Sequence, residues 1–301
     1  MSTITHTQLI SSANAGKAAT RSRRKPRGPW GWVATVVVGL YAIMTVLPTI
    51  TILLGSFKES KQIVADPLGL PTTWVFDNYV RGWEGVAVGE SMSLYFLNTA
   101  LFSIAAVGAS VIAGTMAAYA IARKTGPMSA AFERLYYVLY ALPFLAVIIP
   151  LFSVTGDFGI RSNPFMIGLV FAAGWLPLNV VLMYAFFASF PNDVIEAAKV
   201  DGASEIRIFW TIAVPMSKGP ILSTVLLSFI YAWNNLSHTL PLLVDPASTT
   251  VAPGLLLFSA QYSVDIGAQM AGQIISIIPL VLAYALMHKH IMESFRVGSF
   301  R

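Results

Sequence analysis

The sequence predicts an all-α membrane protein with six transmembrane helices, and three observations carry that reading. Apolar residues make up 56% of the 301 and charged residues only 11%, against about 25% charged in a typical soluble domain. The apolar residues gather into six runs, at about 31–54, 92–121, 135–154, 165–187, 218–237 and 270–290, each near the ~20 residues that cross a bilayer as a helix. Asp, Glu, Lys and Arg are missing from the interiors of all six runs and cluster between them. The chain has no cysteine, which excludes disulfides, thiolate metal sites and cysteine nucleophiles.

Residues 1–29 are small and polar, then basic, and read as a disordered tail; residues 30–301 make the membrane domain. A formal net charge of +5 would suit a nucleic-acid partner. The excess, however, lies mostly in Arg21, Arg23, Arg24, Lys25 and Arg27 beside the first run, where it anchors topology, so no nucleic-acid partner is expected. Arg23-Arg24 hints at a twin-Arg export signal, but the apolar run beyond it is longer than a signal core and lacks a cleavage site. With the N-terminus inside, only Lys58, Lys61, Arg81 and Arg161 of the 19 Lys and Arg fall in outer segments. That asymmetry places both termini in the cytoplasm.

Trp30 and Trp32 stand where an interfacial aromatic belt is expected. Pro143, Pro150, Pro177 and Pro279 fall inside runs and predict kinks rather than breaks. The loop at about 55–91, with Pro67, Pro71, Trp74 and Trp83, reads as an ordered external cap. The loop at about 238–269 has no Lys or Arg, and its apolar stretch from Leu255 to Phe258 predicts a short helix lying at the outer surface.

One polar island interrupts the apolar pattern, from Pro191 to Pro215. Asp193 with Glu196 three residues on reads as an acidic capping box. Asp201-Gly202 reads as a stop and turn, since Gly takes positive φ without steric penalty. A second short helix begins at about Ser204, with Ile206, Phe209, Trp210 and Ala213 on one face and Pro215 at its end. The charge count puts this helix–Gly–helix unit in the cytoplasm.

Enzymatic readings find little support. There is no HExxH spacing, no GxSxG elbow and no GxxxxGK[ST] loop. His288 and His290 are two apart on a helix, so their rings diverge; neither a catalytic nor a metal site is expected. The sequon Asn235-Leu236-Ser237 sits at a helix end and is discounted. An ion-coupled carrier remains an alternative, although the spans hold none of the carboxylates such relays use.

The island also carries a resemblance. Glu196, Ala197, Ala198, Gly202, Ile212, Val214 and Pro215 fit E-A-A-x3-G-x9-I-x-[LV]-P, similar to the EAA loop of permease subunits in binding-protein-dependent ABC importers. Asp77-Asn78-Tyr79, Asn98-Thr99, the run Ala117 to Arg123 and Ala232-Trp233-Asn234-Asn235 resemble further elements of the sugar-type members. The likeness is to the smaller, six-helix partner of the maltose-type pair. Asn235 stands where those members usually have an acid, and the tail from Val297 to Arg301 departs from a terminal G-x-x-K-G.

The resemblance implies a type I importer architecture in a bacterial plasma membrane. Its implied partners are a second permease subunit, an ABC ATPase dimer, an extracytoplasmic solute-binding protein, membrane lipid and a small-molecule substrate, a sugar by this likeness. ATP and Mg would be bound by the ATPase, with no cofactor in this chain. Glu196, Ala197, Ala198, Asp201, Gly202, Ile212 and Pro215 would form the coupling contact. Asn98, Trp175, Asn179, Tyr184, Tyr231, Trp233, Asn234 and Asn235 are the candidate substrate path, because amides and aromatic faces suit sugars. The alternatives are the same permease role for a non-sugar solute and an ion-coupled secondary transporter.

Overall fold

The computed structural model describes residues 29–85, 91–124, 126–257 and 265–297. Most of the basic tail, through residue 28, and the end of the chain at 298–301 lie outside the described residues. The chain divides into two compact units, Met1–Ile50 and Thr51–Arg301.

In the first unit the described residues belong to one helix, α1 (Pro29–Gly55), which runs on into the second unit. Its side chains are apolar and exposed on every face, from Trp30 and Val36 to Met44 and Leu47. The hydroxyls of Thr35 and Thr45 donate back to Gly31 O and Tyr41 O, each at 2.8 Å, so they need no water.

The second unit begins with two short helices after α1, α2 (Ser60–Ala65) and α3 (Asp77–Glu84), which give the expected cap its order; its stretch at 86–90 lies outside the described residues. Its core is the pair α4 (Met92–Arg123) and α7 (Pro164–Phe187). Glycines set their approach. A Cβ at Gly168 would lie 2.5 Å from Phe102 O, and one at Gly114 would lie 2.8 Å from Asn179 Cβ. Small residues at such crossings let backbones close up where lipid offers no hydrophobic drive.

Between them stand α5 (Pro127–Ala141), a 3₁₀ turn (Phe144–Val147) and α6 (Ile148–Asp157). The third run is therefore not one kinked helix. It breaks at Leu142-Pro143, with a 78° bend, because Pro143 has no N–H to continue the ladder and forces Leu142 into an extended conformation.

The polar island forms α8 (Asn192–Val200), α9 (Glu205–Ile208), a π-helical turn (Phe209–Ala213) and α10 (Val214–Met216). A second 78° bend leads into α11 (Lys218–Trp233). At about 1.5 Å per residue, the 16 residues of α11 span less than a bilayer core, so the fifth run is shorter than its composition predicts.

Irregular chain, α12 (Thr239–Leu242), a 3₁₀ turn (Pro246–Ser248) and α13 (Val251–Leu257) come before α14 (Ile266–Val297). The short helix predicted near Leu255 is thus present. It packs on the rest of the bundle, with Val251 buried and Gly254 against the ring of Tyr95. Among the described residues four helices are long and apolar enough to cross a membrane, and counting each bent pair as one span makes six.

Candidate functional site

The island is a helical hairpin with a buried face and an exposed face. Pro191 occupies the N-cap of α8 and its side chain accepts nothing. Helix thus starts one residue before Asp193, and the expected capping box does not form. Asp193 sits instead in the first turn, where its charge suits the helix dipole.

At the other end the turn at Gly202 forms as expected. Gly202 has φ +79°, its N–H donates to Lys199 O, and the Ala203 N–H donates to Ala198 O, both at 3.0 Å. This pair of bonds is a Schellman motif, which uses a positive φ to satisfy carbonyls at a helix end. Lys199 Nζ meets Glu205 Oε1 at 2.7 Å across the turn, and this hydrogen bond holds the ammonium above its usual range. Ser204 caps α9, accepting from Arg207 N–H at 3.4 Å.

Beneath the hairpin, Ile195, Ala198, Ile208, Phe209 and Ala213 pack with Tyr119 of α4 and Phe187 of α7. Ile206 and Trp210 do not share that face as the sequence predicts; they are 74% and 51% exposed. The π turn holds an extra residue, so a 3.6-residue wheel misaligns the residues on either side of it. Pro215 accounts for the wide turn, since its ring would clash with the Thr211 carbonyl of a regular helix; the Val214 N–H bonds instead to Phe209 O.

The motif therefore divides. Ala198 and Ile212 face the bundle, while Glu196, Ala197, Asp201, Gly202 and Pro215 are exposed. Val200, 87% exposed, joins Ile206 and Trp210 on the outside. Sequence reasoning missed these three outward apolar residues. Their signal was an apolar side chain among charges with no amphipathic reason to be there.

The eight candidate path residues do not come together. Asn98 is buried and donates to Ala247 O at 2.8 Å and Thr249 O at 3.0 Å. Asn179 is fully buried, with Oδ1 accepting from Ser228 at 3.1 Å. Trp233 is buried, its Nε1 donating to Ser276 O at 3.1 Å. Tyr184 donates to Glu133 Oε2 at 2.8 Å. Asn235 Oδ1 accepts from the His238 N–H at 3.1 Å. His238 stacks on Phe144 with ring centres 4.9 Å apart. These residues tie the chain to itself. Tyr184 and Asn235 are half-buried, as is Trp175, whose ring is 4.6 Å from that of the exposed Tyr231; Asn234 is exposed, and its Nδ2 donates to Ile230 O at 2.9 Å.

At the cap, Asp265 accepts from Arg81 Nε at 2.8 Å, Ser60 Oγ at 3.2 Å and Ala268 N–H at 3.0 Å. Burial alone would raise its pKa, but these bonds outweigh it and leave the carboxyl below its ordinary value. Among the described residues, no group of His, Asp and Glu could hold a metal.

A helical bundle of this plan is found in a solved bacterial ABC transporter that imports the acidic polysaccharide alginate. The two chains align over 90% of this one and 98% of that one, with a TM-score of 0.72 at 23% identity, which establishes the fold. Residues 110–297 match the binding-protein-dependent transport system inner membrane component family, and the chain belongs to it.

Its relatives include the diacetylchitobiose uptake system permease protein NgcG of Streptomyces coelicolor, 29% identical, covering 95% of this chain and 92% of that protein. The trehalose transport system permease protein SugB of Mycobacterium tuberculosis is 29% identical over 90% and 96%. The trehalose/maltose permease MalG of Thermococcus litoralis is 28% identical over 87% and 94%. The protein is thus a multi-pass plasma-membrane permease of a binding-protein-dependent ABC importer, a transport component rather than an enzyme. Family membership implies a second permease, an ATPase and a binding protein as partners.

Proposed function

We propose that this chain forms half of the path of an ATP-driven carbohydrate importer and is driven through the hairpin at 191–215, which docks on an ABC ATPase dimer in the cytoplasm. The observation that carries this reading is the apolar triad Val200, Ile206 and Trp210, exposed on a hairpin whose other face is packed into the bundle. An exposed apolar surface on a rigid element favours a protein partner. Glu196 and Asp201 add acidic groups beside it, suited to a basic rim. With the hairpin inside, the N- and C-termini are cytoplasmic, and the cap at Ser56–Gly85 faces the binding protein. ATP and Mg bind the ATPase, and hairpin displacement biases the bundle between inward- and outward-open states.

For the solute, a di- or oligosaccharide fits best, by the cargo named for the relatives above. Trp175, Tyr231 and Asn234 would meet it, with aromatic faces for the sugar ring and the Asn234 amide for its hydroxyls; their accessible surface supports this reading. Tyr231→Ala is expected to change which sugars are taken up while the complex stays assembled; an unchanged uptake profile would contradict that part.

Coupling is tested at Gly202. A β-branched residue has open space there but must adopt φ +79°, a strain of about 1–3 kcal/mol that reshapes the turn. Gly202→Val is expected to abolish uptake and ATPase co-purification while membrane insertion is kept. Normal co-purification and transport would overturn the coupling reading.

A further inference from the structure

Arg123 ends α4, and its guanidinium reaches across two other elements. Nη2 donates to the Phe187 carbonyl at 2.8 Å, the last residue of α7, and Nη1 donates to Asn192 Oδ1 at 2.6 Å, the first residue of α8. Its plane also lies near the rings of Phe190, 5.4 Å away, and Tyr119, 5.8 Å away. A single side chain thereby joins the ends of both core helices to the start of the hairpin.

Among the described residues, the hairpin's packing on Tyr119 of α4 and Phe187 of α7 is apolar, through Ile195, Ala198, Ile208, Phe209 and Ala213, with the Phe209 ring 5.2 Å from that of Tyr119. Apolar contacts resist separation but carry no direction, so they allow sliding. A forked guanidinium bonded to two acceptors fixes orientation, which a lysine ammonium does not reproduce.

We propose that Arg123 is the positioning residue that makes the hairpin and the α4–α7 pair move as one body when the ATPase drives the hairpin. The proposal rests on the reading of the hairpin as the ATPase contact. It assigns Arg123 no contact with solute or ATPase; the residue acts through Asn192 and Phe187.

The absence of cysteine allows a direct test. Spin labels at Asp193→Cys on the hairpin, outside the apolar triad, and Ile112→Cys on α4, both exposed, report the distance between the two bodies. The distance is measured in the full complex in bilayers, without nucleotide and trapped with ATP and vanadate. With Arg123 present, one narrow distance is expected, the same in both states. Arg123→Ala is expected to broaden the distribution about twofold, and Arg123→Lys, which keeps the charge but not the fork, to restore it only in part. A wild-type width in Arg123→Ala, or full restoration by Lys, would overturn the proposal.

Should Arg123→Ala fail to assemble, Asn192→Ala removes one acceptor on an exposed residue and carries the same test. Broadening would support the proposal, and an unchanged width would overturn it. Failure of the underlying reading looks different: Gly202→Val would then keep normal ATPase co-purification and transport, whatever the distance width in Arg123→Ala.

Discussion

Two stretches interrupt the long helices of this permease, the hairpin at 191–217 and the segment at 234–251, and they handle polar groups in opposite ways. In the hairpin the backbone is satisfied locally, by the Schellman bonds at Gly202 and the Ser204 cap. Its charged side chains, and five large apolar ones with Val200, Ile206 and Trp210 the most exposed, are left facing outward. In the second segment local turns satisfy part of the backbone, and side chains from far away satisfy the rest. Asn98 holds the carbonyls of Ala247 and Thr249, Thr99 Oγ1 accepts from Val251 N–H at 2.9 Å, and Ser162 Oγ accepts from Asp245 N–H at 3.1 Å. Ser162 itself has φ +68°, and its N–H donates to Leu242 O at 3.1 Å. A stretch that closes its own bonds is free to present a surface. One that borrows bonds from neighbouring helices is fixed in place, as irregular backbone inside a membrane bundle must be.

The contrast can be broken most forcefully at Asn98. Asn98→Ala leaves the buried Thr249 carbonyl unpaired and removes the part-buried bond to Ala247 O, and is expected to cost about 1–3 kcal/mol, read as a fall in the thermal unfolding midpoint of the purified protein. A midpoint within error of wild type would show that the segment does not depend on α4.

Much of this difference was legible in the sequence, and the rest was not, for a physical reason. The hairpin's logic is local. The spacing from Glu196 to Pro215 and the need for glycine at position 202 can be read without knowing any other part of the chain. Span positions are local as well, through apolar run length. Asn98 resisted reading because its partner lies 149 residues on, so an amide that anchors a distant loop looks like one that lines a path. Two local errors have local causes. Pro143 breaks its helix where a kink is expected, and the π turn before Pro215 shifts the helical wheel enough to turn Ile206 and Trp210 outward.

The cap offers a smaller test of the same contrast, since Asp265 is held by partners from α3 and the Ser60 hydroxyl. A carboxyl with its folded pKa below the unfolded value adds stability above the unfolded pKa and loses it as pH falls through the folded one. Asp265→Asn is therefore expected to destabilise the protein at pH 7 by about 1 kcal/mol after solvent screening. The difference should shrink as pH drops below about 4. A pH-independent gap would mean that the charge is not what Asp265 contributes.

The central claim, that the outward face of the hairpin meets the ATPase, is tested most directly by single cysteines placed in a chain that has none. Cysteines at Ala197, Val200 and Ile206 are compared with one at Val64, 73% exposed at the cap, for labelling by a maleimide in detergent with and without the ATPase. The account expects the three hairpin positions to be shielded by the ATPase and Val64 to label equally in both conditions. Equal labelling at all four positions, with the ATPase demonstrably bound, would contradict it.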